Sequence, residues 1–145
     1  MVQVYPNSRN VVPGRVKFSI DLRNATDALV DQMAGEVKAH AARLSQETGL
    51  GIQIELVSSY PAQVFHADCV DAVARAAGKL GYSNMPVVSG AGHDAVYMAK
   101  LAPSGMIFIP CKDGISHNEI EDAKPEHIAA GCNVLLHAML ERAGS

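Results

Sequence analysis

At 145 residues, with 48% hydrophobic and 19% charged side chains, the chain has single-domain size and a globular composition, which excludes a disordered or fibrous protein. Its formal net charge of −3, with no basic run, argues against a nucleic-acid partner, because phosphate binding relies on clustered Lys and Arg. The three cysteines, Cys69, Cys111 and Cys132, form no CxxC pair, and there is no signal-peptide pattern or apolar run of membrane-spanning length, so a cytoplasmic protein without a membrane partner is expected.

The chain begins with strand-like residues, Val2 to Tyr5, ended by the turn formers Pro6, Asn7 and Ser8. Asn10 follows, then Val11, Val12 and a Pro13-Gly14 turn. From Val16 to Arg23 the alternation predicts a half-buried strand, with Val16, Phe18, Ile20 and Leu22 on one face and Lys17, Ser19, Asp21 and Arg23 on the other. Thr26 or Asn24 is placed to cap a helix, and Asp27 suits its first turn. Leu29, Met33, Val37, Ala41 and Leu44 recur every three or four residues as one apolar stripe, and Gly49 stops the helix. Ile52, Ile54 and Leu56 then predict a second alternating strand. Strand, amphipathic helix and strand make half of a small α+β layer, and a boundary is expected around Ser58 to Pro61.

Beyond it, His66 to Leu80 predicts a helix with Cys69, Val73, Ala76, Ala77 and Leu80 inward and Gly81 after it. Met85 to Val88 reads as a short buried strand, Ser89 to Ala95 as a glycine-rich turn, and Asp94 to Leu101 as a helix. Met106 to Ile109 reads as another strand buried on both faces, followed by a polar loop bearing His117. Pro125 opens a final helix with Ile128, Cys132, Leu135, Leu136, Met139 and Leu140 on its apolar stripe. Buried strands alternating with helices indicate an α/β layer, and a loop past a strand's C-terminal end is where such layers build sites.

Residue chemistry leaves several alternatives open. The Ser89–Ala95 turn allows close backbone approach and offers N–H groups to an anion or polarised oxygen, or it is a structural turn. His93 and Asp94 diverge by about 100° on a helix and do not chelate one ion together. His117 has no neighbouring ligand at zinc-motif spacing, so it is a turn histidine or one ligand of a larger set. Arg23 either holds a carboxylate through two parallel hydrogen bonds or pairs with Asp21, two positions away on the same face. Cys111 lacks an activating base and reads as a small apolar residue.

Three blocks in order, PNSRNVVPGRVKFSIDLR, SGAGHDAVYMA and GMIFIPCKDGISHNE, closely resemble the hydantoinase/carbamoylase family of N-carbamoyl-L-amino-acid hydrolases, metal-dependent β-ureidopropionases and allantoate amidohydrolases. The resemblance runs through nearly the whole chain but matches only the C-terminal part of that family. It implies an α/β fold in which residues 1–58 are the second half of an α+β lid and dimerisation domain and residues 59–145 the closing α/β segment of a catalytic domain. It implies His117 as a metal ligand, Asn10 and Arg23 as grips on the substrate carboxylate, and Gly92 and His93 as contacts near the scissile carbamoyl group.

The cofactor so implied is a pair of zinc, manganese or cobalt ions activating a bridging water, with a carbamoyl amino acid or allantoate as substrate and a homodimer formed through the lid. The family's other ligands and its general base match no segment here. An inactive fragment is therefore expected. The alternatives are a non-catalytic lid module or part of an aminoacylase or peptidase of the same superfamily.

Overall fold

Two short strands, four α-helices and one 3₁₀ turn make up the regular structure of residues 1–144, which this computed structural model describes. They fall into two compact units, Met1–Ala62 and Gln63–Ser145.

In the first unit, β1 (Val2–Tyr5) pairs antiparallel with β2 (Arg15–Phe18), Val2 facing Phe18 and Tyr5 facing Arg15. That last pairing sets the Arg15 guanidinium over the Tyr5 ring, 5.3 Å from its centroid. The expected half-buried strand from Val16 to Arg23 is shorter and more open than its alternation suggested. Its ladder ends at Phe18 because β1 offers only four residues to pair with, and Val16, Phe18 and Ile20 are all exposed.

Helix α1 (Asp27–Thr48) begins where Thr26, in extended backbone, accepts the Leu29 N–H on its hydroxyl at 3.4 Å. It ends where Gly49 takes a left-handed φ of 72° and returns its N–H to the Ser45 carbonyl. Met33, Val37, Ala41 and Leu44 form the foreseen half-buried stripe, with Val30 and Ala34 beside them, whereas Leu29 stays exposed. At the far end of the return path the Asp27 carboxylate accepts the Ala62 N–H at 2.7 Å, so residues 50–62 travel back the length of a helix about 33 Å long. The strand expected at Ile52 to Leu56 does not form. The segment has no ladder among the described residues, and Ile54 and Leu56 face solvent.

The second unit is built on α2 (Ala67–Lys79) and α4 (Pro125–Ala143). Their contact is made by small residues, Ala72, Ala76 and Ala77 against Val134 and Ala138, which let the two backbones come close; Val73, Leu80 and Ile107 pack around it. Arg75 and Lys79 of α2 reach Glu141 of α4 at 2.6 and 3.4 Å. The inward face foreseen for α2 is the one observed, with Ala72 added.

For α4 the expected stripe is corrected. Ile128, Cys132, Leu135, Leu136, Met139 and Leu140 are exposed, and the buried residues are Val134 and Ala138. The helix is apolar on two sides, and periodicity favoured the side with larger residues, whereas α2 packs on the side with smaller ones.

The buried strands expected at Met85–Val88 and Met106–Ile109 also lack ladders among the described residues. Met85 and Val88 are exposed, as is Phe108. A strand requires a neighbour to bond with, and an apolar run announces burial without supplying that neighbour.

Residues 105–109 are nevertheless held firmly against the helix pair. Ser104 accepts the His66 N–H at the start of α2, and Gly105 lies so near that helix that an added Cβ would be 3.1 Å from the Cys69 Cβ. Ile107 packs on the core, and Ile109 presses on α4 at Gly131, where an added Cβ would stand 2.7 Å from the Ile109 Cγ2. The short helix α3 (Ala95–Ala99) follows the glycine-rich turn and is shorter than the Asp94–Leu101 span expected.

Candidate functional site

In the first unit, Asn10 sits in the turn region between β1 and β2, exposed, with its Oδ1 accepting the Ser8 hydroxyl at 2.8 Å. Arg23 lies beyond β2, outside any regular element. Its Nε donates to Asp21 Oδ1 at 3.0 Å and its Nη2 to Asp21 Oδ2 at 2.6 Å, a two-pronged pair with both side chains well exposed. The bonds from the guanidinium hold the Asp21 carboxyl below its usual range, and the carboxylate raises Arg23 in return. The pairing joins two residues that the alternation of the sequence puts on one face. It fixes the plane of the guanidinium.

In the second unit, the glycine-rich turn is closed on itself. His93 Nε2 lies 2.7 Å from Ser89 Oγ, and the same oxygen accepts the Ala91 N–H at 3.2 Å. The His93 ring meets Phe108 edge-on, with centroids 5.5 Å apart and planes at 63°. Gly92 adjoins His93 with open space where a Cβ would be, so neither crowding nor a left-handed backbone explains a glycine there. Sequence reading singled out His93 but not Ser89. The available signal was a hydroxyl four residues ahead of a histidine, with glycines between them to bend the chain back.

His117 lies in the loop that follows residues 105–109 and the 3₁₀ turn Lys112–Gly114. The loop is clamped at its base, where the Lys112 N–H donates to the Asp122 carbonyl at 2.7 Å and Lys112 Nζ approaches the Asp122 carboxylate at 3.6 Å. Within it His117 adopts a left-handed φ of 55°, a conformation that costs a β-carbon-bearing residue about 1–3 kcal/mol and persists where surroundings enforce it. Here Glu121 does so, its Oε2 accepting the His117 N–H at 2.6 Å, and Glu121 is a second residue the sequence did not signal. The Asn118 side chain and backbone bond to Ile120 and Glu121, turning the chain so that the carboxylate can reach back.

Among the described residues no group of three or more His, Cys, Asp or Glu side chains is close enough to hold an ion. The residues present do not by themselves fit the dinuclear centre.

No helix among the described residues is long and apolar enough to cross a membrane. The profile of peptidase family M20/M25/M40 matches residues 6–141. An N-carbamoyl-L-amino-acid amidohydrolase of Rhizobium meliloti is 49% identical over 95% of this chain and 33% of its own length. A ureidoglycolate hydrolase of Oryza sativa subsp. japonica is 31% identical over 96% of this chain and 29% of its own. A crystal structure of a hydantoinase/carbamoylase family amidase from Burkholderia multivorans superposes with a TM-score of 0.95 at 52% identity, covering the whole of this chain and 35% of that one. The chain thus spans about a third of the length of the relatives it matches.

Proposed function

The chain belongs to peptidase family M20/M25/M40, and from that premise we propose that it is part of a metal-dependent amidohydrolase cleaving the carbamoyl (ureido) C–N bond of N-carbamoyl amino acids or allantoate. The observation that carries the proposal is the 49% identity, over 95% of the chain, to the N-carbamoyl-L-amino-acid amidohydrolase of Rhizobium meliloti. The matched region includes the Arg23, His93 and His117 blocks.

In this reading residues 1–58 are part of a lid through which two copies pair, and residues 59–145 close a catalytic domain in the cytoplasm. Arg23, whose Nε and Nη2 hold Asp21, binds the substrate carboxylate electrostatically, and Asn10 adds an amide at the same end. Gly92 gives the substrate unobstructed access to backbone, and His93 supplies an N–H or a lone pair at the carbamoyl group. His117 is one donor toward the zinc, manganese or cobalt pair, whose remaining donors belong to the part of the relatives that this chain does not span. Because the donors present do not complete that centre, the chain alone is proposed to be inactive.

The test exchanges the matched third of the Rhizobium meliloti enzyme for residues 1–145 of this chain. Hydrolysis is then assayed on N-carbamoyl-L-amino acids and on allantoate with manganese or zinc, with the isolated chain run in parallel. The expected result is turnover by the hybrid and none by the chain. A correctly folded hybrid inert on every substrate would overturn the assignment of activity, and turnover by the isolated chain would overturn its incompleteness.

A further inference from the structure

We propose that Ser89 is a positioning residue that fixes the tautomer and orientation of His93, so that the imidazole presents Nδ1–H to the substrate. The proposal deepens the reading above and rests on it for placing His93 at the carbamoyl group. Its physical basis is local. Ser89 Oγ receives the Ala91 N–H at 3.2 Å on one lone pair, and among the described residues the His93 ring is the acceptor within reach of its hydroxyl hydrogen. The contact is to His93 Nε2 at 2.7 Å, a normal length for a hydroxyl bond to a ring nitrogen. A bare Nε2 that accepts this bond puts the ring proton on Nδ1, because a neutral imidazole carries one proton on one of its two nitrogens.

The second support is independent of the turn. Phe108 meets the ring edge-on at 5.5 Å from a segment anchored by Ile107 on the helix core, which limits rotation about the side-chain bonds of His93. Among the described residues no hydrogen bond engages Nδ1, which leaves that nitrogen for the substrate. A donor in a fixed direction stabilises charge developing on a carbonyl oxygen, whereas an imidazole free to change tautomer would offer it only part of the time.

The experiment uses the chain itself, labelled with ¹⁵N at histidine, in long-range ¹H–¹⁵N spectra recorded above the titration of the ring. The expected result is a protonated Nδ1 and a bare Nε2 for His93, a change toward the Nε2–H form in Ser89→Ala, and retention of the native pattern in Ser89→Thr. An Nε2–H tautomer in the native chain, or an unaltered tautomer in Ser89→Ala, would overturn the role of Ser89. In the hybrid enzyme, Ser89→Ala is expected to lower kcat by about tenfold or more with little change in KM, and Ser89→Thr to restore most of it. A tautomer change with unaltered kinetics would support the Ser89–His93 link and overturn only the placing of His93 at the substrate.

Discussion

Gly131→Ala isolates how tightly residues 105–109 are held. Glycine inside a helix normally costs about 0.8–1.0 kcal/mol relative to alanine, so this substitution in the middle of α4 would by propensity alone be stabilising. The added methyl, however, would sit 2.7 Å from Ile109 Cγ2, about 1 Å inside the usual carbon–carbon separation. Cγ2 is attached at the branched β-carbon of isoleucine and does not swing away as the end of a long side chain would. Relief therefore requires Ile109 and its backbone to move off α4, at an overpacking cost of about 1–3 kcal/mol. The balance is a net loss of about 1 kcal/mol.

Gly78→Ala is the matched control. It lies in the same unit, in the last turn of α2, with nothing within 4 Å of an added Cβ, so it is expected to gain several tenths of a kcal/mol. Urea unfolding followed by circular dichroism reads both as shifts in midpoint at constant slope. The reasoning fails if Gly131→Ala raises the midpoint as Gly78→Ala does.

Thr26→Ala removes the hydroxyl that accepts the Leu29 N–H, and should cost α1 about 0.5–1 kcal/mol, measured as a loss of helical signal; Thr26→Asn should restore it. Glu141 is held below its ordinary carboxylate value by the hydrogen bond from Arg75, so its pairing strengthens the second unit above the unfolded carboxylate pKa. That contribution disappears as pH falls through the lowered folded value. Unfolding midpoints of the native chain should therefore drop on the acid side more steeply than those of Glu141→Gln, and parallel curves would contradict the pairing. In the hybrid enzyme Arg23→Ala should raise KM about tenfold or more for substrates with a carboxylate and much less for an amide analogue, and equal effects on both would remove Arg23 from the carboxylate end.

The parts of the fold legible in the sequence were those that a segment specifies by itself. Thr26, the α1 stripe and Gly49 delimit one helix, and His66 to Leu80 another, because caps and periodicity are local properties. What failed depended on partners. Apolar runs at 52–56, 85–88 and 106–109 carry strand-like composition, but a ladder is a property of two segments, and none pairs with these among the described residues. The face of α4 that packs on α2 was misread for a related reason. Large apolar residues outrank small ones on any hydropathy pattern, whereas close helix contact selects the small ones, Val134 and Ala138.

At the candidate site the Asp21–Arg23 pair, legible from the alternation that puts both on one face, is present. Ser89 and Glu121 were not legible. Each meets a histidine four residues away across a loop, where the spacing rules of helices do not apply.

Residues 105–109 give the second unit a single point of adjustment. Phe108 lies against His93, and a few residues further the same segment feeds the clamped loop of His117, while Ile107 and Ile109 answer to the two helices behind. A change of one methylene at Ala76, Val134 or Gly131 would therefore move both histidines in concert, with neither one mutated. Selection for altered substrate preference in a library built on this sequence should accordingly enrich conservative apolar exchanges along the α2–α4 seam, at positions that an inspection of substrate contacts would pass over.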